Sequence, residues 1–259
     1  MLLLSSVLAY IENITLFPLK EKESHSKHVV VFDLDKTIGD FDVVSGMYGI
    51  CHSENVNVLE LFPECFRPGI FHIFELLHIF KKDGSIDKVV IYTNNTGGKK
   101  WVNYIVTYIH KILGFVLFDD IVSGYYVNKN EVQDNRRTTM DKERFELMKI
   151  LKLNETDHLM FVDDIHHSGM VGKNVMYIQV TPYELRYTRN DMLTIINENR
   201  KLSRTTKTIL GFSISSYNTQ VVQSIHVDCM YMIDFTKLIA KFVVEHKLGY
   251  AYLTNQLSN

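Results

Sequence analysis

A short apolar run that ends in two carboxylates constrains the fold of this chain more than any other feature. Residues 29–32 are all apolar, and Asp33, Asp35 and Thr37 follow them. An uninterrupted apolar run of this kind favours a strand buried on both faces of a parallel sheet. Ligands of open α/β sheets bind beyond the carboxyl ends of such strands. The acidic pair is therefore placed for chemistry, with an ordinary Asp-containing turn as the alternative.

Size and composition bound the class of protein. The chain has 259 residues, 46% of them hydrophobic and 22% charged, which fits one globular domain with extensions. A net charge of -2 gives no overall attraction to nucleic acid or to an anionic membrane. The scattered Cys51, Cys65 and Cys229 favour buried free thiols in a reducing compartment, with a Cys51–Cys65 disulfide as the alternative.

Apolar strands alternate with amphipathic helices through the middle of the chain. We predict strands at residues 29–32, 88–92, 115–118 with 121–122, 159–162 and 175–180. We predict helices at residues 70–80, 101–112 and 145–153 and from the last strand to about 201, and a loop at 41–66. The alternation predicts an α/β protein with a three-layer α/β/α, Rossmann-like parallel sheet.

The sequence divides into a central domain at residues 28–202 and two extensions, at 1–27 and 203–259. The apolar start at residues 1–10 is short for a membrane span and lacks the positive charge of a signal peptide. We therefore expect it to form a helix packed on the domain. Asp234 precedes an apolar helical stripe, which we also expect to pack on the domain.

Two further predicted strands end in polar side chains. Asp163 and Asp164 follow the fourth predicted strand, and Thr93 and Asn94 follow the second. Two acidic strand ends brought side by side would form a cage for a divalent cation such as Mg²⁺, which prefers oxygen ligands. A hydroxyl and backbone N–H groups ahead of a helix suit a phosphate, with an Asn/Gly-rich turn as the alternative.

Taken in order, these motifs resemble the haloacid dehalogenase superfamily in its phosphatase branch, over about residues 28–182. Three motifs of that family find matches in this sequence, namely Asp33, Asp35 and Thr37 for the first, Thr93 for the second, and Asp163 and Asp164 for the fourth. The resemblance implies the haloacid dehalogenase fold. A large cap domain is not expected, because too few residues separate the first two motifs.

The third motif of the family is a lysine upstream of the fourth strand. We assign it to Lys142, which is predicted to begin the helix before that strand, whereas Lys149 and Lys152 are expected to face solvent. Arg137 is a candidate for a substrate contact, with a solvated basic loop as an equal alternative. Asp119 and Asp120 also follow an apolar run but are left out of the site, because the apolar run continues beyond them.

Within the superfamily, the sequence Phe-Arg-Pro-Gly at residues 66–69 resembles the phosphatases that act on the C-terminal domain of RNA polymerase II and their small relatives. The stretches around Thr93, Lys142 and Asp163 resemble the form found in large DNA viruses. Lys36 and Asp164 depart from the polymerase phosphatases, which usually have Glu and often Asn there. The resemblance implies an intracellular location, in the cytoplasm or nucleus, including the host cell of a large DNA virus.

The resemblance also implies a mechanism, with Asp33 as nucleophile and Asp35 as general acid and base. It assigns Mg²⁺ to Asp33, the Asp35 carbonyl, and Asp163 or Asp164, and it assigns the substrate to Thr93, Asn94, Lys142 and Arg137. An open site suits a macromolecular phosphoester, for which we expect a phosphoprotein carrying phosphoserine or phosphothreonine. A polynucleotide or nucleotide phosphatase and a non-catalytic binding module are the alternatives. No membrane partner is expected.

Overall fold

A parallel β-sheet lies at the centre of the molecule. The computed structural model describes residues 26–95, 97, 99–125, 127–128, 131–132, 134–215 and 234–243. Within them the sheet strands are β1 (His28–Phe32), β2 (Lys88–Tyr92), β3 (Asp120–Val122), β6 (His158–Asp163) and β7 (Val175–Gln179). The order is β3-β2-β1-β6-β7, and every neighbouring pair is parallel. The strands β4 (Val127–Asn128) and β5 (Glu131–Val132) form a separate antiparallel pair.

The helices connect and cover these strands. They are α1 (Asp42–Ser53), α2 (Val58–Leu61), α3 (Ile70–Lys82), α4 (Lys99–Leu113), α5 (Arg144–Leu151), α6 (Arg189–Glu198), α7 (Arg204–Ser215) and α8 (residues 234–243). Short 3-10 turns lie at Pro63–Cys65 and Ser168–Met170. Among the described residues, no helix is both long and apolar enough to cross a bilayer.

Alternate residues of β1 face two separate apolar layers, as the two-residue period of a strand requires. Val30 and Phe32 pack in a core with the buried faces of α3 and α4. Val29 and Val31 pack with apolar residues of α5 on the opposite face. The predicted three-layer, Rossmann-like α/β architecture is therefore confirmed.

The sheet order places a functional edge between β1 and β6. The chain runs outward from β1 through β2 to β3, and then returns to build β6 and β7 on the other side of β1. Such a reversal opens a crevice at the carboxyl ends of the two central strands. The segment between Asp35 and Thr93 holds α1, α2, a 3-10 turn, α3 and β2. The prediction that no large cap is inserted there is confirmed.

Several predicted elements differ in the structure. The predicted loop at 41–66 holds the helices α1 and α2 instead. The signal in α1 was weak because Gly46 and Gly49 interrupt a stripe of only three buried residues, Val44, Met47 and Cys51. Residues 115–118 form no strand, and β3 begins only at Asp120.

The ends of two predicted helices also differ. The chain is irregular from residue 180 to 188, and the helix after β7 begins only at Arg189, where Thr188 and Asp191 form a capping box. The helix predicted to begin at Lys142 begins at Arg144, with Glu143 at its N-cap. Lys142 therefore belongs to a loop.

The two extensions are described only in part. The helix predicted from Asp234 is present as α8, where the Phe235 ring meets Phe32 of β1 edge-on at 5.9 Å. Residues 1–10 and Cys229 lie outside the described residues, and the domain limits stay a prediction. Cys51 and Cys65 are buried free thiols, as expected.

Candidate active site

Carboxylates from two neighbouring strands meet at the carboxyl edge of the sheet. In the register of β1 and β6, Phe32 lies opposite Val162, and the Asp33 N–H donates to the Val162 carbonyl over 2.9 Å. Asp33 and Asp163 therefore follow paired residues. Asp33, Asp163 and Asp164 each offer one oxygen, and these oxygens lie within 4.8 Å of one another. The three acids are close enough to share one cation.

The ammonium of Lys142 joins two of these acids. Its Nζ donates to Asp33 Oδ1 over 2.5 Å and to Asp163 Oδ2 over 2.6 Å. The Lys142 side chain is buried, and Nζ lies 5.9 Å from the ring centre of Tyr92 and 5.8 Å from that of Phe161. Two aromatic faces and two carboxylates hold the ammonium between β1, β2 and β6.

Asn95, in the loop that follows β2, links Asp35 to Thr93. The Asn95 amide donates from Nδ2 to Asp35 Oδ2 over 2.6 Å. The Asn95 backbone N–H donates to Thr93 Oγ1 over 3.0 Å. The other carboxylate oxygen of Asp35, Oδ1, is buried and accepts no hydrogen bond within the described part of the chain. Asn95 thus fixes one oxygen of Asp35 and leaves the second available to a ligand.

These residues line a cavity of about 310 Å³. Every site residue predicted from the sequence lies on its wall except Arg137. The cavity opens to solvent past the exposed Asn94 and Ile165. Asp119 and Asp120, which were left out of the site, do not line it and instead pair with Lys81 and Arg136.

Arg137 lies behind the site, in the interior of the protein. Its side chain is fully buried and forms an ion pair with Glu146 at 2.8 Å. Its guanidinium carbon lies 4.6 Å from the ring centre of Tyr92. The structure thus directs the guanidinium toward other protein groups and away from the cavity.

Thr37 and Asn95 were given no structural role by sequence reasoning. The Thr37 hydroxyl donates to Asp164 Oδ1 and accepts from the Asp164 N–H, both over 3.0 Å. This reciprocal pair ties the loop after β1 to the end of β6. The Thr in the first motif was the available signal for this contact. Nothing local in the sequence pairs Asn95 with Asp35, because the two are 60 positions apart.

Arg67 holds the loop that carries the first motif. Its guanidinium donates to the carbonyls of Lys36, Thr37 and Thr181 over 2.6, 2.7 and 2.7 Å. Gly69, at a φ of 81°, turns the chain from Arg67 into α3. The Arg-Pro-Gly sequence at residues 67–69 was the sequence signal for this contact. In the structure, its arginine supports the loop at residues 33–37.

We expect Arg67→Met to lower the free energy of unfolding by about 3 kcal/mol, because it leaves buried carbonyls without their charged donor. Urea unfolding followed by circular dichroism measures this loss. Lys111→Met is the matched control, since Lys111 pairs with Glu60 on the surface and should contribute about 1 kcal/mol or less. Equal losses in the two variants would contradict the anchoring role of Arg67.

Burial and crowding shift the acids toward the protonated form. Burial raises the pKa of Asp33 to about 7, and Asp163 and Asp35 add to the rise against the opposing effect of Lys142. Burial also raises the pKa of Asp35 to about 6, although the Asn95 hydrogen bond lowers it. The pKa of Asp164 is raised as well, again through burial. Burial is thus the main cause that favours the protonated form of these three acids, and neighbouring carboxylates add to it.

The nearby basic groups respond differently. Burial acts to lower the pKa of Lys142, but Asp33 and Asp163 outweigh it and raise the pKa above the usual lysine value. Burial lowers the pKa of His167, whose Nε2 lies 3.4 Å from Asp163 Oδ2. Lys142 is therefore charged and His167 neutral at neutral pH.

The donor set fits a hard divalent cation. Four carboxyl groups, those of Asp33, Asp35, Asp163 and Asp164, lie at this edge around the buried Lys142. Carboxylate oxygens are the ligands that Mg²⁺ takes in proteins. The oxygens of Asp33, Asp163 and Asp164 that converge within 4.8 Å agree with such an ion. A bound cation would also favour the ionised forms of Asp33 and Asp164, because it supplies positive charge beside them.

The comparisons with known proteins add no identification. No protein-family model and no curated protein matches this sequence. The fold and site define an α/β protein with a buried lysine and an acidic cluster at the carboxyl edge of a parallel sheet. Any assignment of function therefore depends on the chemistry of this edge.

Proposed function

We propose that this protein is a Mg²⁺-dependent phosphomonoester hydrolase that acts through an aspartyl-phosphate on Asp33, with phosphoproteins as substrates. The observation that carries the proposal is the double hydrogen bond of Lys142 to Asp33 and Asp163. It puts one buried positive charge beside a carboxylate that can act as a nucleophile. Phosphoryl transfer needs mainly such positioning and charge stabilisation.

The first half-reaction uses Asp33 and Asp35. A carboxylate oxygen of Asp33 attacks phosphorus, and the bond from phosphorus to the substrate oxygen breaks. Asp35 gives its proton to that leaving oxygen. Its pKa of about 6 suits an acid that must be protonated in part near neutral pH. The products of this step are the free alcohol and the phosphorylated Asp33.

The second half-reaction hydrolyses the acyl phosphate. Asp35, now a carboxylate, takes a proton from a water that attacks phosphorus, and the bond between phosphorus and Asp33 breaks. Inorganic phosphate leaves, and both acids return to their starting states. The Lys142 ammonium and the Thr93 hydroxyl lie at the same cavity and oppose the charge of the phosphoryl oxygens.

Asp33, Asp163, Asp164 and the Asp35 carbonyl would hold Mg²⁺ in this scheme. When bound, the ion would supply positive charge that offsets the negative charge of the phosphoryl group. Thr37 supports this set of ligands, since its hydroxyl fixes one oxygen of Asp164.

The shape and charge of the cavity mouth support a protein substrate. The helices between the first two motifs pack into the core, and of these helices only α1, through Asp42, contributes to the cavity wall. The mouth carries Lys36, whose ammonium is paired with Asp40 at 2.7 Å and with Asp42 at 3.4 Å. A site for a polynucleotide needs basic side chains that are free to pair with the phosphates of the nucleic-acid backbone. The paired lysine therefore favours a phosphoprotein over a nucleic-acid end.

We expect the full chain to hydrolyse para-nitrophenyl phosphate with Mg²⁺ and to stop when EDTA removes the metal. Activity should return when Mg²⁺ is added back. The thermal unfolding midpoint should also rise with Mg²⁺, because a ligand that binds only the folded state stabilises it by mass action. An inactive chain whose unfolding ignores Mg²⁺ would contradict the proposal and favour the binding module.

A substrate panel then tests the protein preference. Phosphoserine and phosphothreonine peptides should have a higher kcat/KM than 3′-phosphorylated DNA of similar length. A preference for the DNA would replace the phosphoprotein assignment with the polynucleotide alternative and leave the chemistry in place.

A further inference from the structure

We propose that Arg137 is a positioning residue that fixes the loop carrying Lys142, and that it does not touch the substrate. The inference rests on the proposed function for its kinetic consequence. Its structural part, the anchoring of the Lys142 loop, stands on geometry alone.

The guanidinium of Arg137 holds the residues that lead into Lys142. Nη2 donates to the carbonyls of Thr139, Met140 and Asp141 over 3.1, 3.3 and 2.9 Å. These are the three residues that directly precede Lys142. One nitrogen thus gathers three consecutive backbone groups of the loop.

The other side of the guanidinium contacts residues at the carboxyl end of β2. Nη1 donates to Asn94 Oδ1 over 3.1 Å, and the guanidinium stacks on the Tyr92 ring at 4.6 Å. Arg137 therefore ties the Lys142 loop to the strand end that presents Thr93. Its planar fork can serve both directions at once, which a lysine ammonium cannot.

Glu146 completes the anchor from α5. Its Oε2 pairs with Arg137, and its Oε1 accepts from the Thr138 N–H and hydroxyl over 2.5 and 2.8 Å. The Tyr92 hydroxyl also donates to Glu146 Oε2 over 3.3 Å. The loop is thus held at its start by Glu146 and along its length by Arg137.

This anchor matters because Lys142 precedes the helix. A lysine inside α5 would be held by the helix itself, whereas a loop residue depends on contacts from its surroundings. Small displacements of a charge-stabilising group cost large factors in rate. The position of Lys142 between Asp33 and Asp163 is therefore set by a residue that lies outside the cavity.

The test compares Arg137→Lys with Arg136→Lys. Arg136 is the adjacent arginine and has comparable bonds, to Asp134, Asp120 and the Ile121 carbonyl, but at the edge of the sheet. For Arg137→Lys we expect kcat on para-nitrophenyl phosphate to fall about 10- to 100-fold with little change in KM. Arg136→Lys should keep both constants. A direct substrate contact by Arg137 would instead raise KM.

A second readout does not need catalysis. Acetylation of Lys142 by an amine-reactive ester, followed by mass spectrometry and normalised to the exposed Lys149, should be faster in Arg137→Lys than in the parent or in Arg136→Lys. The double variant Arg137→Met with Glu146→Gln removes both buried charges, so it avoids a lone buried ion that could unfold the chain. It should show the same faster labelling.

The outcomes separate the two proposals. A parent chain without phosphatase activity, but with faster Lys142 labelling in both Arg137 variants, would overturn the proposed function and keep the anchoring role. An active parent whose Arg137 variants match it in kcat and in labelling would overturn the positioning role and keep the function.

Discussion

Replacement of Asp33 by Asn is expected to reduce phosphatase activity on the order of 10⁴-fold or more, to the background rate. The amide keeps the size of the side chain but cannot form the acyl phosphate. The parent should gain the mass of one phosphoryl group on the peptide that contains Asp33 when the reaction is quenched with acid, and Asp33→Asn should not. Steady-state kinetics and peptide mass spectrometry measure the two effects.

A parallel measurement of unfolding shows whether Asp33→Asn loses activity because it fails to fold. A carboxyl group whose pKa is raised from 3.8 to about 7 by folding costs folding free energy once it ionises, and the cost is fully present above pH 7. Asn carries no such cost, and Lys142 keeps Asp163 as its buried partner, so Asp33→Asn should be at least as stable as the parent at pH 8 without Mg²⁺. Such a trade of stability for activity is common at active sites.

Asp120→Asn provides the matched control for the nucleophile. Asp120 also follows an apolar stretch in the sequence, but it pairs with Arg136 at the sheet edge and does not line the cavity. Its variant should keep the activity of the parent. Equal activity in the parent and in Asp33→Asn would remove Asp33 as nucleophile and, with it, the covalent mechanism.

The sheet and its acidic edge were predictable from the sequence because both depend on local patterns. An apolar run followed by Asp33, and another followed by Asp163, need only the rule that parallel strands end at one edge. The register of β1 with β6 then brings the acids together without further information. The distance between them is a consequence of strand pairing.

The helix α1 and the start of α5 were harder to predict because their signals are weak. The stripe in α1 is short, and tertiary burial of Val44 and Met47 decides its structure more than propensity does. Lys142 was predicted as the lysine of the site, and its Nζ contacts Asp33 and Asp163. It lies in a loop whose residues 138–141 contact Arg137 and Glu146. Local sequence does not encode those contacts.

Arg67 and Arg137 show why a basic residue near a motif is a weak signal for a substrate contact. Both are buried, and both donate hydrogen bonds to backbone carbonyls of loops that carry site residues. Arginine suits this work because its fork serves several acceptors at once. Sequence alone cannot distinguish a guanidinium that faces a cavity from one that supports the cavity wall.

The second large effect is expected for Lys142→Met. Met fills a similar volume between the Tyr92 and Phe161 rings but removes the charge. We expect kcat/KM to fall about 10²- to 10³-fold, the usual loss when one charge-stabilising donor is removed. The free energy of unfolding should fall by about 3–5 kcal/mol without Mg²⁺, because Asp33 and Asp163 lose their buried partner. Kinetics and urea unfolding measure the two losses.

Lys149→Met is the matched control, since Lys149 is exposed on α5 and does not line the cavity. It should leave kcat/KM unchanged and shift the free energy of unfolding by about 0.5 kcal/mol or less. A Lys142→Met variant that behaves like Lys149→Met in both measurements would show that the ammonium takes no part in the reaction.

The response of Lys142→Met to Mg²⁺ distinguishes a cation site from a simple ion-pair cluster. Lys142 and a bound cation draw on the same acids, so removal of the lysine should strengthen Mg²⁺ binding even as it weakens catalysis. Added Mg²⁺ should then raise the unfolding midpoint of Lys142→Met more than that of the parent, by linkage. The same rise in both proteins would mean that the ion binds elsewhere. Because this readout follows unfolding, it tests the acidic edge independently of any substrate.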